Sequence, residues 1–394
     1  MTFSDQQLSL PEGFLLGGVH AGLKDDPQDL DLSLILSKPR AKACGVFTQN
    51  HFPGEPVKLA KKRLEGGVCS ALLINSRYSN VATGEEGMND ALRVCGELAD
   101  QLELSEEEVL ISSTGIIGRR YPAGVMDRAF PKLLGNLGTG HDQFMNAARG
   151  IMTTDTHPKA FSEKIGAATI SVMVKGSGMI DPNMATMLAF IMTDADLPPE
   201  QMKPMLKRVA DRSFNNLSID FDTSTSDSCF LLSNGLAGEV VVDDFEEALT
   251  EVCLKASRAL VLDGEGVTHL IDCQVKGGAD NTMARKVAES IVNSPLVKTM
   301  ITGADPNWGR LIMAIGKTQD PRLEGVAPTL KICEEKVLQK GVPFPHDLRI
   351  ISDRMRSEDQ VLLEIDLHLG DSSLNYLGAN LTKEYVSINA DYTT

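Results

Sequence analysis

The sequence predicts a mixed α/β fold, and three observations carry that expectation. Apolar runs of strand length recur along the chain, at residues 70–75 (SALLIN), 109–112, 167–174, 186–193 and 271–275. Between them lie stretches with apolar residues at helical spacing, at 88–102, 245–262 and 282–292. A chain of 394 residues also buries a large core, in one or two domains. No internal repeat or low-complexity segment interrupts the pattern.

In chain order, residues 11–22 (PEGFLLGGVHAG) read as a strand with tight turns, and the alternating 30–36 (LDLSLIL) as a second strand. Residues 88–102 place Met88, Ala91, Leu92, Cys95, Leu98 and Leu102 on one helical face. Residues 125–137 and 142–152 are helical in pattern, with Pro131 expected to break or restart the first. The strand at 167–174 delivers Lys175. Residues 204–216 are helical and, with Lys203, present Lys207, Arg208 and Arg212 as a solvated basic face. After the helix at 245–262 and the strand at 271–275 the composition shifts at Gly277 and Gly278. A soft boundary there divides 1–276 from 277–394. Residues 329–342 and 347–352 read as edge strands and loops, and 361–369 (VLLEIDLHL) as a strand.

Composition narrows the function. A formal charge of −16 argues against nucleic acid as a partner, although a basic pocket can sit on an acidic surface. The seven cysteines are odd in number, widely spaced and without a Cys-x-x-Cys, so they read as buried or free thiols in a reducing compartment. The first residues lack the basic start and apolar run of a secretory signal, and no segment reaches bilayer-spanning length. The expectation is a cytoplasmic protein that meets neither membrane nor nucleic acid. His20 and His51 have no second ligand at metal spacing. Asp220, Asp222 and Asp227 lack the glycine and terminal glutamate of a calcium loop, so a hydrogen-bonded turn is the preferred reading.

Residues 175–195 (KGSGMIDPNMATMLAFIMTDA) organise the rest. Glycines, Pro182 and Asn183 make the first part a loop, and 186–193 is a buried strand with Thr186 as its expected first residue. A break between Ala185 and Thr186 would put a hydroxyl nucleophile and an α-amine base in one residue. That amine titrates near roughly 8 and needs no histidine.

The run Lys175-Gly-Ser-Gly-Met-Ile-Asp-Pro-Asn-Met-Ala-Thr-Met-Leu188 resembles the signature of the ornithine acetyltransferase family, the bifunctional arginine-biosynthesis acetyltransferases. Further stretches resemble it too: 44–52, Ser113-Thr-Gly-Ile-Ile-Gly118, Thr153-Thr-Asp-Thr-His-Pro-Lys159, 220–227, Asp263-Gly-Glu-Gly266, 293–299, 303–310 and the terminal Asn389-x-x-Tyr-Thr-Thr394. The resemblance implies a four-layer αββα sandwich with a smaller C-terminal α/β part. It implies self-cleavage between Ala185 and Thr186 into α and β pieces, and an α2β2 assembly. It makes Thr186 the nucleophile, Thr114 and Gly115 the oxyanion donors, and Thr153, Lys175, Thr186, Glu265, Asn389 and Thr394 substrate-binding residues. Thr153 is chosen over Thr154. Lys175 would take an α-carboxylate and Glu265 an ammonium group. Asp305 and Arg310 are left outside the site. Two departures stand out. The family's Asn-Ser-Gly-Asn-Ala becomes Asn75-Ser-Arg-Tyr-Ser79, and Ser226 replaces an Asn.

The implied reaction is ping-pong transfer of acetyl from N2-acetylornithine to glutamate, with no metal or cofactor and with acetyl-CoA open as a second acyl donor. Two alternatives stay open at this stage. One is an N-terminal-nucleophile aminopeptidase or amidase of the same fold. The other is a relative serving a specialised-metabolite pathway, which the departures at 77–79 and 226 keep in play.

Overall fold

The computed structural model describes residues 8–181 and 187–391. The first region contains β1 (Phe14–Val19), β2 (Leu32–Phe47), α1 (Glu55–Arg63), β3 (Val68–Asn75), α2 (Gly84–Leu102), β4 (Val109–Ser113), α3 (Val125–Gly135) and α4 (His141–Gly150). It continues with β5 (Lys159–Ile165), β6 (Ala168–Lys175), β7 (Leu188–Asp196), α5 (Pro199–Arg212), β8 (Leu217–Ser218), β9 (Ser228–Glu239) and α6 (Val242–Leu262). The second region contains β10 (Leu270–Gly278), α7 (Asn281–Val292), α8 (Pro295–Thr302), α9 (Gly309–Gly316), β11 (Thr329–Ile332), β12 (Glu335–Gln339) and β13 (Val342–Pro343). It ends with α10 (Leu348–Ser357), β14 (Gln360–Asp366), β15 (Ser372–Ala379) and α11 (Lys383–Asp391).

Alternation of side chains along the strands builds four layers in the first region. β4, β3, β2, β9, β7, β6 and β5 form one hydrogen-bonded path, with β1 on β2. On β3, Ala71 and Leu73 pack outward with α2 and α3, while Leu72 and Ile74 face an inner core. On β7, Phe190 and Met192 face that same inner core, and Ala189 and Ile191 face the opposite way, onto α5 and α6. The sheet therefore folds over, and its two halves stack as the inner layers. The 16-residue β2 belongs to both. Its Leu32, Leu34 and Leu36 serve the α2/α3 core, whereas Cys44 and Val46 serve the α5/α6 core. The β2–β3 register shifts between Leu36 and Ala41, where the strand passes from one half to the other.

The second sheet runs β13-β12-β11-β14-β10-β15-β8. One face packs on α7 to α10, through Ile271, Cys273, Val275, Val287 and Ile351. Leu270, Leu377 and Ala379 join the core beneath α6, so the two parts share a packed seam.

Several elements depart from their sequence expectation. The strand expected at 30–36 runs on to Phe47 as the single β2. β7 begins at Leu188 and runs to Asp196, and Thr186 lies outside the described residues. Pro131 sits inside an unbroken α3. The lost backbone bond there is offset by burial of Met126, Ala129, Phe130 and Leu133 on one face. The helix expected from 204 starts at Pro199, because a proline in the first turn forfeits no intrahelical bond. Residues 348–357 are helical, not loop: Asp347 caps the Arg349 N–H, and Ile351 and Met355 bury one face. The boundary expected at Gly277 falls inside β10, whose Ile271, Cys273 and Val275 belong to the second core, so the seam lies ahead of Leu270.

Lys298 fastens the two parts. Its buried ammonium donates to the carbonyls of Ile219 (2.7 Å) and Ala379 (2.6 Å). Burial pulls its pKa down to about 8, against the opposing charges of Asp220 and Asp181. Between pH 8 and 10 the unfolded chain then holds more protons at this position than the folded one, so stability contributed here rises with pH. In denaturation series at the two pH values, wild type should gain about 2 kcal/mol relative to Lys298→Met. Equal pH slopes would remove the assignment.

Candidate active site

A polar cleft of about 430 Å³ lies where the loops at 24–29, 114–117, 153–154, 178–179, 224–226 and 265 meet α11. Thr114, Gly115, Thr153, Lys175, Glu265 and Asn389 all line it, although they come from segments far apart in sequence. Ala185, Thr186 and Thr394 lie outside the described residues. The chain flanking 182–186 is anchored at this cleft. Lys175 pairs with Leu188 in the β6–β7 ladder, and the Ser228 N–H donates to the Met187 carbonyl (3.0 Å). On the other side, Ile180 bridges to Thr223, whose hydroxyl donates to the Asp181 carbonyl.

The 113–118 loop leaves β4 and is stitched to the 75–81 loop. Thr114 N–H donates to Asn75 O, Ile116 N–H to Arg77 O, and Gly118 N–H to Val81 O. The Gly115 N–H, between two bonded amides, has no acceptor among the described residues, and neither has the Thr114 hydroxyl. Gly115 is obligatory. Its φ is +124°, and a Cβ would lie 2.3 Å from the Arg77 carbonyl carbon. Arg77 itself sits at φ +80°, a left-handed conformation that a glycine would adopt without strain.

Behind the cleft lies a buried ion cluster. Lys159, 1% exposed, places Nζ 2.7 Å from Asp155 Oδ1 and also contacts Asp263. Asp155 accepts from the N–H groups of Thr153 (3.0 Å) and Gly176 (2.8 Å). Burial pushes the Asp155 pKa up, but Lys159 and Lys175 with these bonds hold it well below the usual carboxylate range. Asp263 accepts from the amide and hydroxyl of Thr156. One lysine thus fixes the Thr153–Thr154 loop, the end of β6 beside Lys175, and the turn that carries Glu265. The threonine pair is distinguished by its bonds: Thr154 Oγ1 is 2.6 Å from Ser177 Oγ, whereas the Thr153 hydroxyl has no partner among the described residues.

Glu265 is held by its own N–H to Ser177 O (2.8 Å), and its carboxylate accepts from Asn389 Nδ2 (2.8 Å). This bond brings the C-terminal helix to the site. Two more bonds support it: Tyr385 OH donates to Asp220 (3.3 Å) and Thr382 Oγ1 to Gly266 O (2.7 Å). Gly266, at φ +66°, is required for this approach, since a Cβ there would meet Tyr385 N at 2.4 Å. Asp220 also accepts from the Met179 and Ile180 N–H groups, so it is a turn organiser. Asp227 is buried, and desolvation raises its pKa well above the usual value against the Ser224 hydrogen bond and Lys175. The cysteines are all buried free thiols. Arg310 is tied to the Leu296 carbonyl, away from the cleft.

The structure adds residues that sequence reasoning did not place here: Lys24, Asp25, Asp29, Ile116 and Ser224. Ser226 and Arg77, noted only as departures, also line the wall.

Fold and cleft together define the class: an αββα sandwich whose polar cleft brings together cations, carboxylates and an open backbone donor. The chain belongs to the ArgJ family, whose sequence pattern it matches over residues 15–394. It is 41% identical over 99% of its length to the whole of the glutamate N-acetyltransferase Oat2 of Streptomyces clavuligerus. It is 38% identical to the arginine biosynthesis bifunctional protein ArgJ 2 of Clostridium acetobutylicum, over 98% of each chain. A solved ArgJ structure from Bacillus halodurans matches 50% of this chain and 96% of its own at 32% identity and a TM-score of 0.48.

Replacing Lys159 by Met strands two buried carboxylates. The variant should lose about 3–5 kcal/mol of unfolding free energy in urea titration. A loss typical of a surface ion pair would show that the cluster does not carry the loops.

Proposed function

We propose that this ArgJ-family acyltransferase moves the acetyl group of N2-acetyl-L-ornithine to L-glutamate in arginine biosynthesis. The observation that carries the reading is the convergence of Thr114, Gly115, Thr153, Lys175, Glu265 and Asn389 on one cleft, beside both anchored ends of the 182–186 segment.

The precursor activates itself. Thr186 Oγ attacks the Ala185 carbonyl, the peptide C–N bond breaks, and the acyl group passes from nitrogen to oxygen. Water then hydrolyses the ester, leaving a carboxylate on Ala185 and a free amine on Thr186. In turnover that amine takes the proton of its own hydroxyl, and Oγ attacks the acetyl carbonyl of the donor. The Gly115 N–H and Thr114 hydroxyl donate to the alkoxide, stabilising it more than the planar carbonyl. Collapse of the intermediate breaks the amide C–N bond, and ornithine leaves with the proton. The α-amine of glutamate then attacks the acetyl-threonine ester and regenerates the hydroxyl. Lys175 holds the α-carboxylate of each substrate, and Glu265, oriented by Asn389, holds an ammonium group. Thr153 and Thr394 are the further substrate-binding residues of this reading. No step needs a metal or cofactor, and acetyl-CoA is a candidate second acyl donor.

The cleaved pieces assemble as α2β2 in this proposal, and the enzyme works in the cytoplasm. No helix among the described residues is long and apolar enough to cross a membrane.

On a denaturing gel, wild type should run as two bands and Thr186→Ala as one, with acetyl transfer abolished. Thr114→Val should keep both bands and lower kcat about 100- to 1,000-fold. Acetyl release that is equally fast with and without glutamate would identify a hydrolase instead.

A further inference from the structure

The proposed reaction asks one cleft to accept two amino acids whose side chains end in opposite charges. Lys175 and Glu265 are assigned to groups on the amino-acid backbone or to an ammonium. The side-chain carboxylate of glutamate still needs a cation.

Lys24 meets that need. It lies in the cleft wall on the loop between β1 and β2. The loop is built, not incidental. The fully buried Asp31 accepts the N–H groups of Ala21 (2.6 Å), Gly22 (3.2 Å), Leu23 (2.7 Å) and Lys24 (2.9 Å). The Lys24 ammonium donates to the Leu30 carbonyl at 2.8 Å. Among the described residues no carboxylate lies within ion-pair reach of it. An ammonium has three donors, and the Leu30 carbonyl is the one partner of this one among the described residues. Burial lowers the Lys24 pKa, while Asp29, Asp31 and Asp155 oppose that shift and Lys175 adds to it. Lys24 and Lys175 line the same cleft, two cations for the two carboxylates of an acidic amino acid. Asp25, Asp26 and Asp29 on the same loop offer the opposite charge to the tail of the donor.

We infer that Lys24 is the specificity-determining residue that holds the side-chain carboxylate of the acidic acceptor. This rests on the acetyltransferase reading. The test compares glutamate with glutamine, which differs only in that carboxylate, as acceptors from the acetylated enzyme. In Lys24→Met the KM for glutamate should rise about 10- to 100-fold, the worth of a hydrogen bond to a charged group, while KM values for glutamine and N2-acetylornithine stay within about twofold. Lys24→Arg should restore discrimination. Equilibrium binding of glutamate and glutamine to the unacetylated enzyme and to Lys24→Met repeats the comparison without turnover. Parallel changes for the two acceptors, or no change for either, would overturn the assignment. If wild type moves no acetyl group, the acetyltransferase reading fails. Lys24 would still have to show its glutamate preference in binding, or be withdrawn.

Discussion

Asp155 and Asp263, both buried, share the single buried ammonium of Lys159. Removing it would leave two buried carboxylates without their shared ion-pair partner. Because each also accepts backbone N–H groups, the cluster converts charge balance into geometry. It sets the threonine pair at the end of the loop before β5, the exit of β6 at Lys175, and the last turn of α6 before Glu265. Three walls of the cleft are thus fixed by groups that do not line it.

The sandwich explains why the cleft lies where it does. β7 is sandwiched between β6 and β9 and buried on both faces, so the chain entering it is held by ladder bonds on each side. The loops before β7, after β4 and before β9 emerge together at that edge. The second region contributes by returning the chain: Lys298 ties the end of β15 at Ala379 to Ile219 of the first region, and α11 then reaches back to Glu265 through Asn389. A site assembled from both regions survives only if their seam is rigid, and a buried lysine bonded to two carbonyls is a strong constraint on it.

Much of this was legible in the sequence, for physical reasons. Strands such as 70–75 and helices such as 88–102 carry their periodicity in their side chains, and the structure matches them closely. At Pro131 and at residues 348–357 burial of an apolar face outweighs the local signal, so the chain is helical there. The cleft residues were legible only through resemblance. A Ser-Thr-Gly turn has no periodicity, and nothing local reveals that Gly115 lies against the backbone of Arg77. Lys24 carried no signal at all. It sits in a polar run, and its role depends on Asp31 seven residues on and on walls supplied by distant segments.

The most direct measurement is intact-mass and peptide analysis of the protein after brief exposure to N2-acetylornithine without glutamate. The account predicts one acetyl group per β chain, attached to the N-terminal peptide that begins at Thr186 and lost when glutamate is added. Continued acetyl transfer by an uncleaved chain, or by one that never carries acetyl at that residue, would contradict it.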